Sequence, residues 1–294
     1  MPGRVVVFGD VIDDVLVIPR GPIRPDTDTS AAIRNRPGGS AANVAAWLGS
    51  LGTPVDFVGL VGRDDVARHR AALAAFGVEA HLGAHPELPT GTIIVLVDGG
   101  SRSMLTDRGA NADLDPASVT DAMLDAADLL HLTAYSLFDS GRQQQFRDLI
   151  ARAKARGVVV SVDPASAGFL LDYGTDRFLD AIEGADLLFP NLDEGAALTG
   201  LADPERIACT LSARVALVAL TLGSAGVLVA QSGVPAAVVP AVAAQTVDPT
   251  GAGDAFCAGF LRAWLASNDP LTAAEAGARL AVRALSAIGG RPPG

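Results

Sequence analysis

The feature that most constrains the fold of this chain is a regular alternation of helical segments with short apolar runs between residues 116 and 223. Helix-like segments at 116–127, 139–156, 176–183 and within 192–213 alternate with strand-like runs: DLLHL (128–132), GVVVSVD (157–163), ADLLFP (185–190) and VALVALTLG (215–223). Strands that alternate with helices of this length predict a mainly parallel sheet covered by helices on both faces. We therefore expect a three-layer α/β/α sandwich.

The remaining segments extend this sheet and add a smaller feature. Strands are predicted at 4–10 and 55–62, helices at 39–52, 64–78, 252–268 and 271–288, and an antiparallel pair at 225–230 and 235–240. Residues 14–36 mix strand-like pieces with Pro and polar turns, and residues 90–106 resemble a hairpin turning at Asp98, Gly99 and Gly100. These two segments predict a small β flap. We expect residues 1–294 to form a single domain, because no repeat or linker divides them.

Composition narrows the classes of function. Hydrophobic residues make up 49% of the chain, enough for a sizeable core, and the net charge of −11 disfavours nucleic acid as a partner. No apolar run is long enough to cross a membrane, and the start lacks a signal-peptide pattern, so we expect a cytoplasmic protein without a membrane partner. Cys209 and Cys257 have no redox or metal spacing, and we expect the four histidines to be surface or incidental residues.

The segment VDPTGAGDAFCAGF (247–260) combines a turn and two glycines with an acidic residue at the start of an apolar helix. Small residues at 251–253 let several backbone N–H groups point into one concavity, which the helix dipole makes more positive, so an anion site is predicted. A carboxylate beside that site repels phosphate unless a substrate hydroxyl lies between them. Asp254 is therefore either a general base next to a phosphoryl group or an acid that merely favours the helix dipole.

Further polar residues follow the predicted strands, at the edge where open α/β sheets bind ligands. Asp13 and Asp14 either accept hydrogen bonds from vicinal hydroxyls or form a solvated turn. Gly38 and Gly39 allow close backbone approach to a ligand, and Asn43 offers an amide, although an ordinary turn into a helix is the alternative.

Two later segments carry similar alternatives. Asn191 and Glu194, three residues apart at a predicted helix start, either order water around Mg²⁺ or cap the helix. Gly223 and Gly226, which follow Thr221, fit either a turn against a nucleotide or the hairpin predicted there.

Each of these segments is weak evidence alone, but their order and spacing are specific. PGGSAANVAAWLGSLG, followed much later by DPTGAGDAFCAGF, resembles the two signature segments of the ribokinase/PfkB family of carbohydrate and nucleoside kinases. GDVIDD, GLVGRDDVARHRAALAAFGV, NLDEGAALTG and TLGSAGV also lie where the family has matching pieces, so the resemblance covers essentially the whole chain. It implies a ribokinase-like fold whose β lid is formed by about 14–36 and 90–106. It also implies an ATP-dependent kinase acting on a sugar or sugar acid, with a nucleoside as the alternative acceptor.

The resemblance implies roles for the matched residues. Asp254 matches the catalytic base, and the backbone of Gly251, Ala252 and Gly253 matches the anion hole for the transferred phosphate. The acceptor is expected to contact Asp14, which lies five residues after Gly9 as in the family and is preferred to Asp13, together with Gly38, Gly39 and Asn43. ATP is expected to border Asn191, Thr221, Gly223, Gly226, Gly251 and Gly253, and Glu194 is expected to hold Mg²⁺ through water.

The resemblance extends to further cofactors and partners. Asp248 resembles part of the monovalent-cation site of ribokinases, which makes potassium a candidate cofactor, although RPPG replaces a ligand-bearing end there. The lid strands of the family make a homodimer a candidate assembly. After strand 157–163 relatives have Asp-Pro-Asn where this chain has DPASAGF, so we expect different contacts from that loop.

Three rival interpretations fit less well. A P-loop enzyme needs Gly-Lys-Ser/Thr, but the only lysine, Lys154, lies in ARAKARG. A Rossmann dehydrogenase needs G-x-G-x-x-G after the first strand, where this chain has GDVIDDV. A non-catalytic sugar- or nucleotide-binding module is expected to have lost Asp254 or the small residues at 251–253, and both are present.

Overall fold

The computed structural model describes residues 3–98, 101–138, 141–243 and 245–293. The strands in these ranges are β1 (Val5–Phe8), β2 (Ile12–Pro19), β3 (Ala31–Gly38), β4 (Val55–Gly62), β5 (Val78–His85), β6 (Gly91–Asp98), β7 (Ser101–Asp107), β8 (Leu129–Thr133), β9 (Val159–Asp163), β10 (Leu187–Leu188), β11 (Leu217–Thr221), β12 (Val227–Gln231) and β13 (Val234–Val239). The α-helices are α1 (Ser40–Ser50), α2 (Val66–Ala74), α3 (Asp121–Ala126), α4 (Gln143–Lys154), α5 (Ala167–Tyr173), α6 (Thr175–Ala181), α7 (Leu192–Thr199), α8 (Pro204–Ser212), α9 (Ala252–Ser267) and α10 (Pro270–Leu285).

The central sheet has the predicted, mainly parallel topology. Its strand order is β13-β12-β11-β10-β9-β8-β1-β4-β5, parallel from β11 to β5 and antiparallel where β12 and β13 extend one edge. The chain builds outward from β1 to β4 and β5, then returns to the other side of β1 with β8. This reversal is a topological switch point, where open α/β sheets bind ligands.

Both faces of the central sheet are covered, which confirms the three-layer architecture. Val5 and Val7 of β1 pack into one apolar core with α1, α2, α9 and α10. Val6 and Phe8 alternate onto the opposite face and pack into a second core with residues of α3 to α8. Among the described residues, no helix combines the length and the apolar character that a membrane span needs.

The two segments of the predicted β flap form a second, four-stranded sheet in the order β3-β2-β6-β7. β2 pairs antiparallel with β3 and parallel with β6, and β6 pairs antiparallel with β7. The predicted hairpin turn falls on Gly99 and Gly100, which lie outside the described residues. We call this sheet the small sheet.

The structure corrects several boundaries. The edge strand β5 and the short helix α5 were not predicted, and the predicted strand at 185–190 is only the two-residue β10. The predicted helix at 116–127 is a 3₁₀ turn followed by α3, because Thr120 accepts a hydrogen bond from the N–H of Met123 and starts a new helix. His69 and His131 are fully buried rather than surface residues.

Candidate active site

The polar residues that follow the central strands line one cavity of about 240 Å³. It lies at the carboxyl ends of β1, β8, β9, β10 and β11, with the small sheet along one side. Of the residues that the sequence singles out, those in its wall are Asp14, Gly39, Asn43, Asn191, Glu194, Thr221, Gly253 and Asp254. A single site therefore gathers residues spread over most of the chain.

Asp254 lies in the first turn of α9 and is held at both carboxylate oxygens. Ser40 Oγ donates to Oδ1 and Asn43 Nδ2 donates to Oδ2, each over 2.8 Å. Burial raises the pKa of Asp254 to about 8, with a further rise from Asp163, while the two hydrogen bonds oppose it. The side chain is thus oriented, and its proton affinity is shifted towards neutral pH.

The amino end of α9 has the form expected of an anion site. Gly251 is its N-cap with φ 76°, and no side chain caps the helix. A Cβ on Gly251 would lie 2.3 Å from Cα of Gly290, so only glycine fits there without movement. A Cβ on Gly253 would meet nothing within 4 Å, because that residue faces the open cavity. Backbone N–H groups at such a helix end are available to an anion.

Asp13 and Asp14 point to opposite sides of β2 and have different environments. Asp14 lines the cavity, and burial together with the Asp10 carboxylate raises its pKa to about 6. Asp13 instead accepts two hydrogen bonds of 2.7 Å from the guanidinium of Arg68, on α2. The structure thus places Asp14, and not Asp13, in the wall of the cavity.

The glycines before α1 let that helix approach β1 closely. Gly39 has φ 96°, and a Cβ there would lie 2.5 Å from the carbonyl oxygen of Asp10. Gly38 lies beneath the Asp14 carboxylate, since a Cβ on Gly38 would lie 2.2 Å from Oδ2. Asn43 is buried within the first turns of α1. Gly39 and Asn43 therefore line the cavity, whereas Gly38 lies behind its wall, beneath Asp14.

Two contributors to the site were not predicted as site residues. Asp10 accepts hydrogen bonds from the N–H groups of Ser40 (2.8 Å) and Ala41 (3.2 Å) and from Thr133 Oγ1 (2.9 Å), so it fixes the start of α1. Ser40 in turn donates to Asp254. Their positions, directly after the first strand and between the glycines and Asn43, were the available signals in the sequence.

Asn191 and Glu194 form a capping box at the start of α7 as well as lining the cavity. The Asn191 side chain accepts from the Glu194 N–H over 2.9 Å, and Glu194 Oε2 accepts from the Asn191 N–H over 2.9 Å. Asn191 Nδ2 also donates to Glu194 Oε1 over 2.6 Å. Burial and the nearby Asp163 raise the pKa of Glu194 to about 8. The structure therefore shows the predicted helix cap, and both residues also face the cavity.

A second cavity of about 270 Å³ adjoins the first and is mostly apolar. The two share Thr221, Gly253 and Phe256 in their walls. Gly223, Gly226 and Ala252 line only the second, together with side chains from α10. The two cavities meet at the amino end of α9.

Asp248 lies outside both cavities and is tied to the backbone. Its Oδ1 accepts from the N–H of Thr250 over 2.9 Å, and its Oδ2 accepts from the N–H of Gly289 over 3.0 Å. Arg36 of the small sheet donates from Nη1 to the carbonyl oxygen of Ile288, and its guanidinium lies beside Gly289. A fixed positive charge therefore already occupies this neighbourhood.

The loop after β9, where the sequence departs from the family pattern, borders the cavity through Asp163 and Ala165. Asp163 Oδ1 accepts a hydrogen bond of 2.8 Å from the N–H of Ala165, and burial raises the pKa of Asp163 to about 6. Ala165 has φ 76°, a left-handed conformation that asparagine and glycine adopt more readily than alanine. The loop keeps this backbone shape without the amide.

Comparison with known proteins identifies the family of the chain. The model of the pfkB family of carbohydrate kinases matches residues 3–293. The bifunctional protein HldE of Shewanella baltica is 33% identical over 269 residues, which cover 85% of this chain and 53% of that protein. The chain therefore spans about half the length of these bifunctional relatives.

Two further proteins are similar over nearly their whole length. An ATP-dependent ribose-1-phosphate kinase of Halopiger xanaduensis is 33% identical over 279 residues, 92% of this chain and 88% of that protein. The crystal structure of an adenosine kinase from Sinorhizobium meliloti superposes with a TM-score of 0.87 at 26% identity, covering 99% of this chain and 96% of that one. Similarity to kinases thus extends across the whole fold.

Proposed function

The chain belongs to the pfkB family of carbohydrate kinases, and from that premise we propose that it transfers the γ-phosphoryl group of ATP to a hydroxyl of a sugar or sugar acid. One observation carries the proposal: the half-buried Asp254 carboxylate lies beside the uncapped amino end of α9, where the two cavities meet. A base for the acceptor hydroxyl and donors for the transferred group are therefore adjacent.

In this mechanism Asp254 receives the proton of the acceptor hydroxyl on a carboxylate oxygen. Ser40 Oγ and Asn43 Nδ2 hold the two oxygens in place, and each oxygen retains a lone pair for that proton. The backbone N–H groups of Gly251 and Gly253 donate to the oxygens of the group in transfer and stabilise their charge, and that of Ala252 does so once it leaves the Pro249 carbonyl oxygen, to which it donates over 3.3 Å. Because the site is partly shielded from water, these interactions are stronger than they would be in bulk water.

The two cavities fit the two substrates of the proposed reaction. The apolar cavity suits an adenine ring, with Gly223 and Gly226 at its rim, and Thr221 stands between it and the polar cavity. Asn191 and Glu194 supply oxygens of the type that Mg²⁺ prefers, and since both already bond each other, they would hold the ion through water. When bound, Mg²⁺ would neutralise charge on the phosphate oxygens.

The residues around Asp248 do not fit a monovalent cation. Both of its oxygens accept backbone N–H groups, and the Arg36 guanidinium already donates to the adjacent Ile288 carbonyl. We therefore derive no step through potassium.

The acceptor is proposed to lie between Asp14 and Asn43 on one side and the small sheet on the other. Asp14 would accept hydrogen bonds from its hydroxyls, and Ile12, Ile93 and Val95 of the small sheet would cover its carbon skeleton. We propose that the small sheet acts as the lid. The described wall of this cavity includes no Lys or Arg, which favours an uncharged sugar over a sugar acid.

A nucleoside remains the second candidate acceptor because part of the cavity wall is apolar. Met104 and Tyr135 lie in the wall together with the apolar residues of the small sheet, and such surfaces suit a base as well as a sugar ring. Tyr135 itself packs edge-on against Phe138 and Phe169. The similarity to a solved adenosine kinase supports the same candidate.

The proposal is tested by the variant Asp254→Asn. We expect turnover to fall by about 10²–10⁴, the usual cost of losing a general base, while ATP still binds. ADP release is measured with Mg-ATP over a panel of neutral sugars, sugar acids and nucleosides, and ATP binding by calorimetry.

Asp193→Asn is the matched control, since Asp193 is also an acid in the first turn of a helix but is exposed. Its turnover should stay within about twofold of wild type, as is usual for exposed substitutions. Equal activity of Asp254→Asn and wild type would contradict the mechanism and leave Asp254 as an acid that only favours the helix dipole. ATP binding without transfer to any compound would favour a binding module.

A further inference from the structure

Residues 288–291 form a loop that contacts α1, Arg36 of the small sheet and the start of α9, and we call it the closing loop. Trp47 Nε1 of α1 donates to the Gly290 carbonyl oxygen over 2.8 Å. The same glycine is packed against Asn43, because a Cβ on Gly290 would lie 2.2 Å from Asn43 Nδ2. It also packs against Gly251 of the anion site. The closing loop is thus part of the support of the site.

Arg291 is the charged residue of this loop, and the mechanism above does not use it. Its Nη2 donates to the Gly38 carbonyl oxygen over 3.3 Å. Its Nε and Nη1 atoms are buried and have no hydrogen-bond partner among the described residues. A guanidinium placed in this way costs free energy unless its charge is compensated, and buried charges are ordinarily paired.

The compensating charge is that of Asp14. Its carboxylate lies directly against Gly38, the residue whose carbonyl oxygen Arg291 bonds. The charged groups acting on Asp14 are Asp10 at the end of β1, Asp13 on its own strand, Asp248 before α9, and Arg291. Of these, Arg291 alone favours the ionised carboxylate. Arg36 lies opposite Asp14 in the β2–β3 register, but its guanidinium donates to the Ile288 carbonyl oxygen instead.

We propose that Arg291 is a positioning residue for the acceptor: it holds the Gly38 carbonyl and keeps Asp14 a carboxylate that accepts acceptor hydroxyls. The inference rests on the proposed function, since it assigns Arg291 to the same acceptor site. It predicts an effect on acceptor affinity and not on ATP, because Arg291 contacts neither the second cavity nor α9's first turn among the described contacts.

The first test compares Arg291→Gln with Arg291→Lys. In Arg291→Gln we expect the KM of the acceptor to rise at least about tenfold at pH 7, the scale of one hydrogen bond to a charged group, with the KM of ATP unchanged. The rise should shrink as the pH increases from 7 to 9, because Asp14 then ionises without help. Arg291→Lys should restore the pH profile, since it retains the charge. Arg279→Gln, an exposed arginine paired with Glu275, is the control.

The second test does not depend on catalysis. The ¹³C signal of the Asp14 carboxyl, assigned with Asp14→Asn, is titrated by NMR in wild type and in both Arg291 variants. We expect a midpoint near 6 in wild type and a higher one in Arg291→Gln, with Arg291→Lys close to wild type. If Arg291→Gln does not fold, the comparison of Arg291→Lys with wild type still decides.

The outcomes separate this inference from the proposed function. An unchanged Asp14 midpoint in Arg291→Gln, or an equal rise of the KM values of ATP and acceptor, would overturn the role of Arg291. If only Arg291→Lys folds, an Asp14 midpoint well above the wild-type midpoint in that variant would also overturn the role of Arg291. Absence of kinase activity in wild type, with a shifted midpoint in Arg291→Gln, would overturn the proposed function and leave the electrostatic coupling in place.

Discussion

Single residues decide the chemistry of this site, and adjacent acids illustrate how. Asp13 and Asp14 are equivalent candidates in the sequence, because both follow the first strand. The alternation of side chains along β2 sends Asp14 into the cavity and Asp13 to Arg68. The local pattern alone does not choose between them; the family resemblance favours Asp14 from its spacing after Gly9, and the register of β2 is what places Asp14 in the cavity wall.

This contrast gives a matched prediction. Asp14→Asn should raise the KM of the acceptor by about 10- to 100-fold, because a hydrogen bond to a charged group is worth about 1.5–3 kcal/mol. Asp13→Asn removes an ion pair whose Arg68 side chain is 49% exposed, and such pairs contribute little. Its acceptor KM should change less than about threefold. Steady-state kinetics of the two variants check this, and a larger effect in Asp13→Asn would show that the acceptor contacts the other face of β2.

At the scale of elements, the start of α9 is the decisive feature, and its two glycines have different roles. Gly251 needs its left-handed conformation and its close approach to Gly290. Gly253 needs neither, since a Cβ there would meet nothing. The first glycine is required by packing, whereas the second leaves room in the cavity.

Alanine substitution should separate the two roles. Gly253→Ala should keep the melting temperature near that of wild type, because its methyl group meets no protein atom, but that methyl group enters the space of the transferred phosphate and displaces it from the N–H donors; kcat should fall by about 10²–10³, as when one donor of an oxyanion hole is lost. Gly251→Ala should lower stability by about 1–3 kcal/mol from backbone strain, with an added cost from the contact with Gly290. Calorimetry and kinetics are measured together. Full activity of a folded Gly253→Ala protein would argue against phosphate binding there.

The elements themselves were predictable to different degrees, for physical reasons. The buried strands and the long amphipathic helices have strong periodic signals, so the central sheet, α9 and α10 follow from the sequence. β5 is an edge strand whose residues alternate weakly between buried and exposed, which left it without a clear pattern. In the structure it brings His81 Nε2 to 2.8 Å from Asp56 Oδ1 of β4. The hydrogen bonds of Asp10 and Ser40 join distant segments, so no local pattern could indicate them.

At the scale of the whole molecule, the fold brings several carboxyl groups together in the polar cavity, where water solvates them poorly. Asp10, Asp14, Asp163, Glu194 and Asp254 all line the polar cavity. Burial, together with repulsion between neighbouring carboxyl groups, raises the pKa values of Asp14, Asp163, Glu194 and Asp254, and a bound cation would offset this repulsion. The carboxyl groups at the switch point therefore destabilise the folded protein when they ionise, and the melting temperature should depend on pH.

The expected sign follows from the shifted pKa values. Asp254 and Glu194 have pKa values raised to about 8 by burial, so the folded protein retains their protons; the resulting stability is complete below about pH 4, decreases as the pH rises towards 8 and is lost above it. The buried His69 and His131 have lowered pKa values, so their contribution is complete above pH 6.5 and does not change there. Between pH 6.5 and 8 the two acids therefore dominate, and the melting temperature should fall by several degrees over that interval and then level off. Calorimetry from pH 5 to 9 measures this, and Asp254→Asn should flatten the alkaline fall because its amide does not titrate. A melting temperature that rises from pH 6.5 to 9, or an equal fall in the variant, would mean that Asp254 is ionised in the free protein at neutral pH.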